Sequence, residues 1–198
     1  MTDLDPWDDD EDGEEDANGP RLALLGRFAA SLAHVPWFAH TGAPLDAELR
    51  RDARDYLDLL GFPQATVTRV ASWADAAAAA ESLDWDSPAW EIEELLRADL
   101  THRATEVLDE EALELALTHV SAQAAQALEQ ALRPQSALWD IEDEALLNAA
   151  LGAGVQAAHQ AALVLAAGAA HHAFALKFQL YEQGRWPIGV AGLSFNIL

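Results

Sequence analysis

ALLNAALGAGVQAAHQAALVLAAGAAHHAFALKFQLY, residues 145–181, holds one charged side chain, Lys177, and three histidines, His159, His171 and His172. A helix apolar on nearly all sides belongs at the centre of a protein. Imidazoles placed there need buried partners or mark a site.

The stretch is too long to be one straight rod. The 43 residues from Ile141 to Gln183 would reach about 65 Å as a helix. A compact chain of this length is roughly 40 Å across. A break is therefore required, and Gly152, Ala153 and Gly154 offer the least costly place for it. This predicts a central helix of about 29 residues carrying all three histidines.

Working back towards the N-terminus, the periodicity is helical almost throughout. Leu22, Leu25, Phe28, Ala29 and Leu32 share one face of a first helix over Arg21–Ala33. A loop with Trp37, Phe38 and His40 follows, and Pro44 is placed to open the next helix. There Leu45, Leu49, Ala53, Tyr56, Leu57 and Leu60 form one apolar face. Asp46/Arg50, Arg51/Asp55 and Arg54/Asp58 pair on the other. Gly61 ends the helix.

TVTRV, residues 66–70, reads as a short strand or as the first turns of a helix. Ser72 with Asp75 resembles a capping box. Ser87 and Pro88 start a helix to about Val107. Asp109 caps another, from Glu110 to about Leu132 with Pro134 as its stop, and Asp140 caps the last. After Pro187, Leu193, Phe195 and Ile197 alternate with polar residues, and Ala191–Gly192 turns a hairpin against Ile188 and Val190. A lone hairpin is marginal, so it must pack on the helices, pair with TVTRV or add to a partner's sheet.

The fold class is all-α: an irregular multi-helix bundle around a long helix in the C-terminal half, with a small β-type C-terminal hairpin or strand. Residues 1–19 read as an acidic, disordered arm, residues 20–198 as one helical domain, and 187–198 as its extended appendage.

Composition removes several function classes. The chain has no cysteine, which excludes disulfide frameworks, thiolate zinc sites and cysteine nucleophiles. The longest uninterrupted apolar run, Ala161–Ala170, is short of the roughly 20 residues of a membrane span, and no basic-then-apolar leader opens the chain. The expectation is a cytoplasmic protein with no membrane partner.

Net charge is −23, and ten acids lie within the first sixteen residues, leaving −13 for the remainder. Direct nucleic-acid binding is not expected, because Arg50, Arg51 and Arg54 are interleaved with acids. Nucleophile elbows, phosphate loops and nucleotide fingerprints are missing from the sequence.

The histidines are the candidates for chemistry. Asp99, His102 and Glu106 project from one helix face and have the donor types for a divalent metal, with His159 as a further ligand from the central helix. The Glu-x-x-His pattern of di-iron bundles is not met, since Asp99 is the only carboxylate three positions before any of these histidines. On a continuous helix, His159, Asn148 and Lys177 fall in one stripe with Gln156 and Gly152, which either lines a pocket, faces solvent or packs against another chain. Trp37, Trp85 and Trp186 sit at helix ends as anchors.

The leading expectation is a non-enzymatic cytoplasmic interaction protein that binds a basic protein partner as an acidic binder, inhibitor, immunity-type protein or chaperone. The alternative is a metal-binding helical protein or metal-dependent enzyme using the carboxylate/His cluster. A DNA mimic ranks last, and homo-oligomerisation stays open.

Overall fold

The computed structural model describes residues 18–84 and 86–198. The acidic arm over 1–17 and Trp85 lie outside the described residues. Among the described residues seven α-helices and three short strands follow in the order α1 (Gly19–Ser31), α2 (Ala47–Leu59), β1 (Thr66–Arg69), α3 (Trp73–Glu81), α4 (Pro88–Thr105), α5 (Glu110–Trp139), α6 (Glu144–Ala167), α7 (Ala173–Glu182), β2 (Pro187–Ala191) and β3 (Ser194–Ile197). The chain is mostly α, with a small sheet, as its periodicity predicts.

Helix starts follow the capping chemistry. Asp46 accepts the Leu49 N–H at 2.9 Å, Ser72 that of Asp75 at 3.1 Å, Ser87 that of Trp90 at 3.3 Å, and Asp109 those of Glu111 and Ala112 at 3.0 and 3.1 Å. Each satisfies a backbone donor that has no partner within its own helix. Pro44 precedes the α2 cap by two positions rather than opening the helix itself. The predicted α2 face is all buried: Leu45, Leu49, Ala53, Tyr56, Leu57 and Leu60 are 6% exposed or less.

TVTRV is a strand. The sheet order is β1-β3-β2, with β1 parallel to β3 through the register Val67↔Phe195, and β2 antiparallel to β3 with an irregularity between Pro187 and Gly189. The predicted hairpin is thus completed by its pairing with residues 66–69. The Tyr56 ring on α2 packs tilted against Phe195 with centroids 5.0 Å apart, joining the helices to the sheet.

Three boundaries differ from expectation. Helix α5 passes through Pro134 and ends at Trp139, where Asp140 takes a left-handed conformation with φ 51°. Pro134 is exposed, so the carbonyl it leaves without an N–H partner can be hydrated, and the Ile141 N–H closes the helix on Ser136 O at 2.9 Å. Asp143, not Asp140, caps α6, accepting the Leu146 N–H at 3.1 Å.

The long apolar stretch breaks at Gly168–His172, not at Gly152–Gly154. Gly168 adopts φ 66°, the Ala169 N–H returns to Val164 O at 3.0 Å, and His172 caps α7 by accepting the Phe174 N–H on Nδ1 at 3.1 Å. The central helix has 24 residues and holds one histidine, His159, while His171 and His172 lie in the break. Gly154 serves another purpose: a Cβ there would meet Leu128 Cδ2 at 2.7 Å, so its lack of a side chain lets α6 close onto α5. A glycine that permits close packing and one that permits a turn are indistinguishable by spacing.

By length and mean hydropathy α6 is the one helix among the described residues that meets the requirement for crossing a bilayer, and 56% of its apolar window is buried within the protein. It packs against α1, α4, α5 and α7 as the core helix.

Candidate functional site

Lys177 resolves the question set by the apolar stretch. A lysine in a core segment must find a counter-charge. Helix α7 aims it at α4, where Nζ donates to Glu93 Oε1 at 3.0 Å and Oε2 at 2.7 Å. Their side chains are 13% and 12% exposed.

From α2, the Tyr56 hydroxyl donates to Glu93 Oε1 at 2.5 Å, and the Gln160 amide of α6, 1% exposed and without a hydrogen-bond partner within ordinary bonding distance, lies near the same carboxylate. Four helices thus converge on one anion. Burial pushes the Glu93 carboxyl up, but Lys177, Tyr56 and Gln160 together outweigh it and hold the group below the usual carboxylate value. Burial, and then Glu93, raise both Tyr56 and Tyr181 above the ordinary phenol value. These three shifts all lead away from neutrality, so the cluster sits at pH 7 as a fixed ion pair with neutral phenols.

Above the ion pair lies a pocket of about 390 Å³. Its walls come from Leu83 after α3, Trp90 on α4, Ala149, Gly152, Ala153 and Gln156 on α6, and Trp186–Val190 at β2. A Cβ on Gly152 would meet no atom within 4 Å. The expected stripe of small and weakly polar residues is therefore divided: Gly152 and Gln156 line this pocket, Asn148 lines a shallow one beside α5, and Lys177 arrives from a different helix.

Two of the proposed metal ligands, His102 and Glu106, are neighbours, and no third carboxylate or imidazole among the described residues joins them. Asp99 lies 3.7 Å from Arg103 Nη1, and His102 Nε2 on α4 lies 3.6 Å from Oε1 of Glu106, its C-cap; Asp99, His102 and Glu106 are all exposed. His159 faces α5, with Nδ1 3.3 Å from Ser121 Oγ, in a second pocket of about 400 Å³ that also holds Glu110 and Glu114. Among the described residues no three His, Asp or Glu side chains come close enough to share an ion. Burial, with Arg97 as the smaller cause, lowers the His159 pKa.

Beside the first pocket, Arg185 is 5% exposed and ties the α7–β2 turn to the loop before α2. Its Nη1 donates to His40 O and, at 2.8 Å, to Ala43 O, and Nη2 donates to Pro44 O at 2.9 Å. Trp186, next in the chain, is 2% exposed and packs between Phe38 and Trp73.

The arrangement defines a mostly α protein with a small three-stranded sheet, a buried Tyr–Glu–Lys cluster and an apolar pocket over it. No family model, curated protein or solved structure matches the chain.

Proposed function

We propose that the protein is a non-enzymatic interaction module that receives a basic protein partner on an anionic surface. The supporting observation is how its cations are used. Arg21, Arg50, Arg54, Arg69 and Arg185 donate to backbone carbonyls of their own fold. Lys177, Arg97, Arg103 and Arg51 pair with carboxylates. Nine of the eleven basic side chains are thereby engaged internally, and the excess of acids is left for solvent or for a partner.

The α4–α5 corner concentrates that excess. Glu106, Asp109, Glu110, Glu111 and Glu114 are all exposed there, beside Val107 at 41% and Leu115 at 72% exposure. An apolar centre with an anionic rim suits a basic partner that also buries apolar side chains. The titration directions of the buried cluster favour binding over catalysis, because a general acid or base works best with a pKa near the working pH.

The test is affinity capture from the native host at low salt, with the recovered protein identified and re-expressed. A basic partner, released as ionic strength rises and lost on Glu111→Lys/Glu114→Lys, is the expected result. Salt-independent retention, or full retention by the charge-reversed variant, would count against the reading.

A further inference from the structure

We infer that the pocket over Glu93 and Lys177 is a binding site for a small uncharged apolar molecule bearing a hydrogen-bond acceptor. At about 390 Å³ it lies within the range of small-molecule sites, roughly 300–1,000 Å³. It is too small for a peptide helix. Its walls are mostly alkyl and indole, from Leu83, Trp90, Ala153, Trp186 and Ile188, with the Gln156 amide among them.

The polar chemistry selects the ligand's charge. Lys177 and Glu93 neutralise each other, so neither an anion nor a cation finds an unpaired counter-charge at the floor of the pocket. Asp84 at the rim disfavours anions, and because it is exposed and already accepts the Asp86 N–H it offers a cation only a solvent-screened charge. Glu93 already receives Tyr56 and two bonds from Lys177, so at the floor of the pocket a ligand donor has little to meet, and the acceptor available on the wall is the neutral Gln156 amide. An ammonium has three N–H groups and two are directed at Glu93, leaving one for an acceptor such as a carbonyl. Gly152 keeps the mouth open: its missing side chain borders free space and not a neighbouring helix.

Prodan, an uncharged naphthalene ketone whose emission shifts to the blue in apolar surroundings, is the probe. Titration into the full chain is expected to saturate at one site, with naphthoate and naphthylmethylammonium binding more weakly. Gly152→Leu fills the mouth and replaces a helical glycine, so it is expected to cut prodan affinity about tenfold or more without lowering Tm. Ala149→Leu, on the same wall, provides a second filling variant. Leu115→Ser, on the distant exposed face, is expected to leave binding unchanged. Undiminished binding in folded Gly152→Leu and Ala149→Leu, loss in Leu115→Ser, or naphthoate binding as tight as prodan would overturn the assignment.

Discussion

Lys177 Nζ on α7 lies 2.7 Å from Glu93 Oε2 on α4, and the two side chains are nearly enclosed. A buried pair is costly to form and more costly to break from one side, because the remaining charge has neither water nor partner. Lys177→Met is therefore expected to lose about 3–5 kcal/mol in denaturant unfolding. Lys177→Met/Glu93→Gln removes both charges and keeps an acceptor for the Tyr56 hydroxyl, so it is expected to recover more than half of that loss. Equal stability of the single and double variants would show that Glu93 is not stranded by the first change.

Acid is expected to weaken the fold in two windows. Burial lowers the pKa of His159 and His172 from the usual 6.5, so the unfolded chain takes up protons there before the folded chain does. Stability then falls as pH drops below 6.5 towards the folded values. Glu93 has the opposite protonation chemistry and the same consequence. Its carboxylate contribution is complete above the usual 4.5 and is lost as pH falls through its lower folded value. Glu182, raised by burial, gains stability on protonation and partly offsets the loss. His159→Gln/His172→Asn, which keeps a capping side chain at α7, is expected to flatten the upper window and leave the lower one in urea melts across pH. An unchanged upper window would remove the histidines as its cause.

Arg185 holds three carbonyls of the loop before α2 with one guanidinium. Arg185→Met keeps the length but strands those acceptors, at an expected cost of roughly 3 kcal/mol or more. Arg185→Lys is expected to recover only part, because an ammonium lacks the planar fork that reaches Ala43 and Pro44 together. Hydrogen exchange should show the loss as faster opening of residues 40–44. Full rescue by lysine would reduce the role of Arg185 to its charge.

How far the sequence could be read follows from the range of each interaction. Helix α2 was legible because its apolar spacing and its Gly61 stop are local and agree, although its start lies at the Asp46 cap and not at Pro44. The hairpin was legible from alternation, whereas its parallel pairing with Thr66–Arg69 depends on a contact across more than a hundred residues. Lys177 is the single charge in a core segment, a sign of a counter-charge that the apparent stripe with His159 and Asn148 obscures. Its partner was hidden, because Glu93 sits among Glu91 and Glu94 and looks like one more surface acid. The stripe joining Lys177 to His159 assumed one continuous helix, and the left-handed turn at Gly168 cancels any angular relation across it.

Pro134 marks a similar limit. Its position on the exposed side of α5 permits a helical proline that sequence rules treat as a stop. Pro134→Ala restores one N–H and removes the ring's clash with the preceding turn, so it is expected to raise stability by about 1–3 kcal/mol. A destabilised variant in thermal melts would mean that the proline fixes the closing turn at Asp140 and does not merely interrupt the helix.

The two glycines of α6 make opposite demands although one residue separates them. Gly152 faces free space, so Gly152→Ala trades a flexible helical residue for the best helix former and is expected to gain up to about 1 kcal/mol. Gly154 would bring its Cβ to 2.7 and 2.8 Å from the two methyls of Leu128, too close for any side-chain carbon. Leu128 is wholly buried, so its side chain must leave its packed position or α5 and α6 must separate to relieve the contact. Gly154→Ala is therefore expected to cost about 1–3 kcal/mol despite its better helix propensity. Because the strain is pairwise, Gly154→Ala combined with Leu128→Ala should cost less than the sum of the single changes by about 1 kcal/mol or more. Additive costs would place the penalty in the α6 backbone and not in its approach to α5.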